Sequence, residues 1–254
     1  MSEIAQILDF SLSFADALLQ SGASLERVND SIRRICYSYE VEDLSLYSMS
    51  TVMFISARDR DGTVINRQRN MHGSDIQLTR LVRLNDLSRR ICGDHPDADD
   101  LQELLAEAVT VPEYPMPLVM AGQLTALACL ARIFGGNVKD VLVMLVITAV
   151  MFLMGIYVKK PWLNAIVYNA VTAGVAGILS YLAVWLHLAD HVYVLMITSS
   201  MMLIPGVPLV NATSNLFCGN EMNGLMELLK VVVETLAIVG GLVAAGYLMG
   251  GLIA

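Results

Sequence analysis

The chain has 254 residues, of which 56% are hydrophobic and 16% charged, where an ordinary soluble domain has about 25% charged. Its formal net charge is −8, and residues 1–111 hold 11 of the 16 Lys and Arg and 18 of the 24 Asp and Glu. An acidic first half argues against nucleic acid as a partner, because phosphate binding needs a basic surface, and a nearly uncharged second half excludes a wholly soluble protein.

Residues 4–20 place Ile4, Ile7, Leu8, Leu12, Ala15, Leu18 and Leu19 at helical spacing, and Gly22 ends that helix. Ser24 caps a second helix carrying Leu25, Val28, Ile32, Ile35 and Cys36 on one side and Arg33 and Arg34 on the other. Residues 44–58 change period: Leu44, Leu46, Tyr47, Val52, Phe54 and Ile55 read as strand. Asp61-Gly62 marks a hairpin turn before a short strand at 63–67. Ser74 to Gln77 reads as a capping box opening a helix to about Ile91, and Asp97 as the cap of a helix over 98–110. The prolines at 112, 115 and 117 break the chain between two domains, 1–111 and 112–254.

Beyond the break come five long apolar runs, at about 118–134, 141–158, 162–187, 192–217 and 225–253. A bilayer core of about 30 Å needs roughly 20 apolar residues per helix, so these read as membrane spans. The expected fold is a membrane all-α bundle of about five transmembrane helices, preceded by a small cytoplasmic α+β domain. Arg132 and Lys139 on one side balance Lys159 and Lys160 on the other, so the positive-inside rule is tied. The start Met1-Ser2-Glu3 lacks the features of a cleavable signal, so the first domain is expected to stay in the cytoplasm.

Cys36, Cys92, Cys129 and Cys218 show no paired spacing, so no metal site or disulfide framework is expected. No cofactor is expected, and no phosphate-binding loop of the Walker type occurs. His72 and His95 belong to no nucleophile or metal motif and read as surface loop residues.

The fourth run contains Pro205-Gly206-Val207-Pro208, which cannot continue a regular helix without freeing carbonyls, and those groups need partners inside a bilayer. Broken membrane helices often expose backbone to a substrate. Asn211, Thr213, Ser214 and Asn215 follow and add uncharged hydrogen-bonding groups. The plainer alternative is a proline kink with polar residues near the membrane surface. In the fifth run Glu227, Lys230 and Glu234 share one helix face, with Glu227 and Glu234 about 20° apart in projection. Glu227 and Lys230 have the spacing of a local ion pair. Residues 222–253 would make a helix of about 48 Å, longer than the bilayer core, so its first turns are also readable as lying outside the membrane. Gly246 and Gly250, with Ala173 and Gly177, have the spacing of close helix contacts.

Two stretches carry a resemblance. Leu18-Leu-Gln-Ser-Gly-Ala-Ser-Leu-Glu-Arg-Val28 and the later Leu81–Arg90 resemble the cytoplasmic domain of the threonine/serine exporter (ThrE) family. Leu203-Ile-Pro-Gly-Val-Pro-Leu-Val-Asn-Ala212, then Gly219 to Gly224, resemble that family's membrane signature. Long members carry about ten spans, so this chain looks like the YjjP-type subunit, encoded apart from a smaller YjjB-like membrane subunit. The resemblance implies an oligomeric exporter in the bacterial inner membrane and not an enzyme. Its substrate would be a carboxylate-bearing solute, succinate or threonine and serine. The substrate path is expected at Pro205, Gly206, Pro208, Asn211, Asn215, Glu227, Lys230 and Glu234. The competing readings are a membrane-anchored hydrolase-like enzyme, and a scaffold or sensor that transports nothing.

Overall fold

The computed structural model describes residues 2–59, 61–72, 76–112, 114–158 and 163–253. Its elements are α1 (Glu3–Gln20), α2 (Leu25–Ser38), β1 (Glu42–Ser48), β2 (Val52–Arg58), β3 (Val64–Asn70), α3 (Leu78–Asp94) and α4 (Leu101–Val109). Then come α5 (Met116–Ile133), α6 (Val138–Tyr157), α7 (Ala165–Trp185), α8 (Val192–Leu203), α9 (Gly206–Phe217) and α10 (Glu221–Ile253). These fall into two compact units, Met1–Pro112 with Val207–Leu228, and Glu113–Gly206 with Leu229–Ala254.

In the first unit α1 is the central element. The sequence pattern marks one apolar stripe, yet Phe10, Ser11, Phe14 and Asp16 are buried as well. The reason is that α2, α3, α4, β2 and β3 all pack around this helix, and a helix enclosed on every side buries even its polar positions. Ser21 closes α1, and Gly22, at φ +93°, takes the left-handed conformation that lets the chain turn into α2. Ser24 is the N-cap of α2 by position, although its side chain makes no capping bond.

The apolar stretch over 44–58 is two strands, and with β3 they form an antiparallel meander in the order β1-β2-β3. Alternation sets its faces. Met53, Ile55 and Ala57 of β2 enter the core, while Tyr47 and Phe54 pair their rings on the outer face. The expected Asp61-Gly62 turn joins β2 to β3: Gly62 lies at φ +86° and Asp61 Oδ1 accepts from Thr63 N at 3.0 Å. β3 runs on to Asn70 because Arg67 and Arg69, although charged, reach Asp9 and Ser13 on α1.

Ser74 and Asp75 of the expected capping box lie outside the described residues; α3 itself starts at Leu78. Residues 97–100 form a turn, not the first turn of a helix, and α4 starts at Leu101 with Asp100 as its N-cap.

The second unit holds α5 to α8 and the remainder of α10. α6 begins three residues before its apolar run, since Asn137 and Asp140 cap each other's backbone reciprocally. Asn164 caps α7 through Ile166 N. Leu127, Ala131, Met144, Ile147, Met151, Ala176, Val194 and Leu195 make its core.

The seam between α7 and α10 is built on small residues. A Cβ at Gly177 would sit 2.7 Å from the Ala245 Cβ, and one at Gly241 would strike the Ala170 carbonyl. Gly241 and Ala245 make the tightest contacts with α7, and of the two glycines the sequence singles out in α10 only Gly246 also meets it. Gly246 faces the Tyr181 hydroxyl, and Gly250 has no neighbour within 4 Å.

Four helices (α5, α6, α7 and α10) are long and apolar enough to cross a bilayer, and a fifth crossing results if α8 and α9 count as one broken span. Only 11% of the α5 window is buried inside the protein, which leaves an apolar surface that lipid or partner helices must cover.

Candidate functional site at the α9–α10 hairpin

The proline–glycine segment divides the fourth apolar run into two helices of 12 residues each. Pro205 has no N–H for the turn before it, and the Gly206 N–H bonds back to the Ile204 carbonyl at 2.9 Å. Pro208 sits in the first turn of α9, where its missing N–H removes no helical bond. With Gly206 engaged and Pro208 lacking a donor, the start of α9 offers few free N–H groups to an anion.

Further along α9, inside the first unit, the polar residues converge on the folded domain. The Asn211 amide donates to the Gly22 carbonyl at 3.2 Å, which ties α9 to the α1–α2 turn. Thr213 points its hydroxyl at its own helix, to the Leu209 carbonyl. Asn215 is fully buried and donates from Nδ2 to Glu227 Oε2 at 3.0 Å. The other Glu227 oxygen, Oε1, accepts from the Ser50 hydroxyl at 2.8 Å. Asn223 completes the arrangement: its Oδ1 accepts from Ser50 N at 3.2 Å and its Nδ2 donates to the Ser48 carbonyl at 3.1 Å. Tight chain packing holds these groups together, since a Cβ at Gly224 would lie 2.8 Å from the Ala212 carbonyl.

The orientation of the Asn215 amide follows from its partner, because only its nitrogen can face a carboxylate. That leaves Asn215 Oδ1 buried with no hydrogen-bond partner among the described residues. Among those residues no ion pair reaches Glu227, and the i,i+3 pair with Lys230 is not formed. Lys230 is exposed, while Glu227 is half-buried and bound by neutral donors.

Glu234 belongs to the second unit, where it is buried. Thr172 and Thr198, also of that unit, bury hydroxyls without a hydrogen-bond partner among the described residues. Asn211, Asn215 and Glu227 are thus placed by their bonds, and two of them, Asn215 and Glu227, belong to one network while Asn211 bonds separately to Gly22. Ser48, Ser50 and Asn223 complete it and are absent from the sequence reading. The strand pattern ends at a polar Ser48-Met-Ser50 turn, but nothing in the sequence couples that turn to residues more than 170 positions away.

A second polar cluster, also missed by the sequence reading, lies in the second unit. Asp140 is fully buried and accepts from Asn137 N, Asp190 N, His191 N and His191 Nδ1. The Asn137 amide and then the Lys139 ammonium hold the Asp190 carboxyl below the usual carboxylate range. The capping spacing of Asn137 and Asp140 was the available signal. In the first unit His72 is more than a loose surface residue: its N–H and Nδ1 both meet the Asp16 carboxylate. His95 stacks edge-on with Tyr39, whose hydroxyl donates to the Pro96 carbonyl. Among the described residues no group of three or more His, Cys, Asp or Glu is placed to hold a metal.

Apolar helices of this number and length, with a small sheet-containing unit, define a multi-pass membrane protein. Residues 9–249 match the threonine/serine exporter family, ThrE, and the chain belongs to that family of transporters. No curated protein and no solved structure matches the chain.

Proposed function

We propose that the chain is a subunit of a secondary exporter in the bacterial inner membrane. It moves a small amino acid or organic acid, threonine and serine or a succinate-like dicarboxylate, out of the cytoplasm. Residues 1–111 form a cytoplasmic domain and residues 112–254 the transmembrane domain. The chain works as an oligomer with a separate YjjB-like membrane subunit. One observation carries this reading: a single transporter family covers the sheet-containing region and the apolar helices together.

The path is assigned to Pro205, Gly206, Pro208, Asn211, Asn215, Glu227, Lys230 and Glu234. The network around Glu227 supports the assignment of Asn215 and Glu227, because hydrogen-bonding groups there meet an interrupted apolar segment. Buried Glu234 supports a polar lining higher in α10.

The test is efflux from cells that produce the full chain with its partner subunit, loaded with labelled threonine, serine or succinate. Faster loss of at least one of the three is expected. Replacing Pro205 and Pro208 by Ala should abolish the gain at an unchanged membrane level. Wild-type protein that inserts normally and accelerates none of the three would remove the exporter reading.

A further inference from the structure

The α9–α10 hairpin has its polarity reversed. Its polar side chains face folded chain: Asn215 and Asn223 are buried, and Asn211, Asn223 and Glu227 bond to the α1–α2 and β1–β2 connections. Its apolar side chains face outward. On α9, Val210 is 67% exposed and Phe217 86%, and Thr213 lies between them on the same face. On α10, Met222, Leu225 and Met226 share one face and are all exposed. A surface helix in water turns its apolar stripe inward and its polar residues outward.

Continuity, hydrogen bonding and length all bear on what covers this face. α10 continues past Leu228 as one helix long and apolar enough to cross a bilayer, so its first turns stand at the edge of hydrocarbon. The Thr213 hydroxyl bonds inward to the Leu209 carbonyl at 2.8 Å, so the face of Val210, Thr213 and Phe217 presents no unspent donor. Lipid supplies no hydrogen bonds and demands none, whereas a protein interface carries them across its surface. α9 has 12 residues. That is about 18 Å of helix, against roughly 30 Å for the hydrocarbon core, which suits a helix lying within one leaflet. Glu221, exposed at the start of α10, keeps that end at headgroup depth.

We propose that Val207, Val210, Phe217, Met222, Leu225 and Met226 form a lipid-docking face, which seats the sheet-containing unit against the phospholipid acyl chains of one leaflet. α9 lies along that leaflet and does not cross the bilayer. The bonds from Asn211 to the Gly22 carbonyl and from Ser50 to Glu227 then fasten the α1–α2 and β1–β2 connections to a membrane-embedded hairpin. The docking face is independent of the solute and of the exporter reading.

The experiment uses the full chain with Trp162 and Trp185 replaced by Phe and a single reporter tryptophan introduced. The reporters are Phe217→Trp, Met226→Trp and a control on the outer face of the sheet, Tyr47→Trp, which is equally accessible in this unit. Each is reconstituted into phosphatidylcholine vesicles with and without bromine on the acyl chains, and bromine quenches only a tryptophan in contact with it. Phe217→Trp and Met226→Trp should lose most of their emission, and Tyr47→Trp should keep its own. Full emission at both hairpin positions overturns the docking face, as does quenching of Tyr47→Trp equal to theirs. Adding the YjjB-like subunit to the same vesicles separates lipid from a protein partner. Quenching that persists supports the face, and quenching abolished by that subunit assigns it to protein and overturns the proposal.

Discussion

Four donors converge on the Asp140 carboxylate, two on each oxygen. Three of them are backbone N–H groups, from the turn before α6 and the turn before α8, so one buried side chain ties two loops of the second unit. Asn at this position keeps a single acceptor oxygen. Its least costly orientation leaves the Asn137 N–H facing an NH₂ group. Leaving one buried donor unpaired costs about 2 kcal/mol. Asp140→Asn should therefore lower the thermal midpoint in detergent by about 5 °C; an unchanged midpoint would show that the tie contributes nothing.

Cys36 gives a pH dependence at the same scale. Burial pushes its thiol up to about 11, with the Ser11 hydroxyl opposing the shift. The unfolded thiol loses its proton near 9.0 while the folded one keeps it to about 11, so the native state binds more protons across that window. Stability conferred below the lower value is lost as pH rises through the upper one, by about 3 kcal/mol. Unfolding of wild type and Cys36→Ala should diverge in slope between those two pH values, and parallel profiles would count against the buried thiol as the cause.

Elements differ in how far residue order exposes them. α1 and α2 are readable because apolar spacing, Gly22 and Ser24 all agree. The β2–β3 hairpin is readable from Asp61-Gly62. The break at Pro205 is readable as an interruption, because proline acts locally. The sequence does not reveal that Asn211 and Asn223 bond to the α1–α2 and β1–β2 connections, since polar residues near a break look the same whether they face lipid headgroups or folded chain. Nor does it rank the glycines of α10. Gly240 and Gly241 are neighbours, yet the first has open space around it and the second abuts the Ala170 carbonyl. Gly241→Val should separate α7 from α10 and destabilise by about 3 kcal/mol, whereas Gly240→Val should leave the thermal midpoint nearly unchanged. Equal effects at the two positions would contradict the seam.

For the molecule as a whole, chain connectivity and the Asp140 tie combine into a topology. If α5, α6 and α7 each cross the bilayer once, the α5–α6 turn and the α7–α8 turn are expected on one side of it. Asp140 bonds both turns, which requires the same. A crossing α5 is expected to carry its first residue, Met116, to the opposite side from those turns. Placing residues 1–112 in the cytoplasm then puts Leu188 outside the cell. Leu188 and Tyr37 are both well exposed and suit substitution by Cys once Cys36, Cys92, Cys129 and Cys218 are replaced by Ala. In intact cells a membrane-impermeant maleimide should modify Leu188→Cys and spare Tyr37→Cys until the membrane is opened. The reverse pattern would invert the orientation, and with it the direction of transport. Modification of both positions in intact cells would mean that α5 does not cross the membrane.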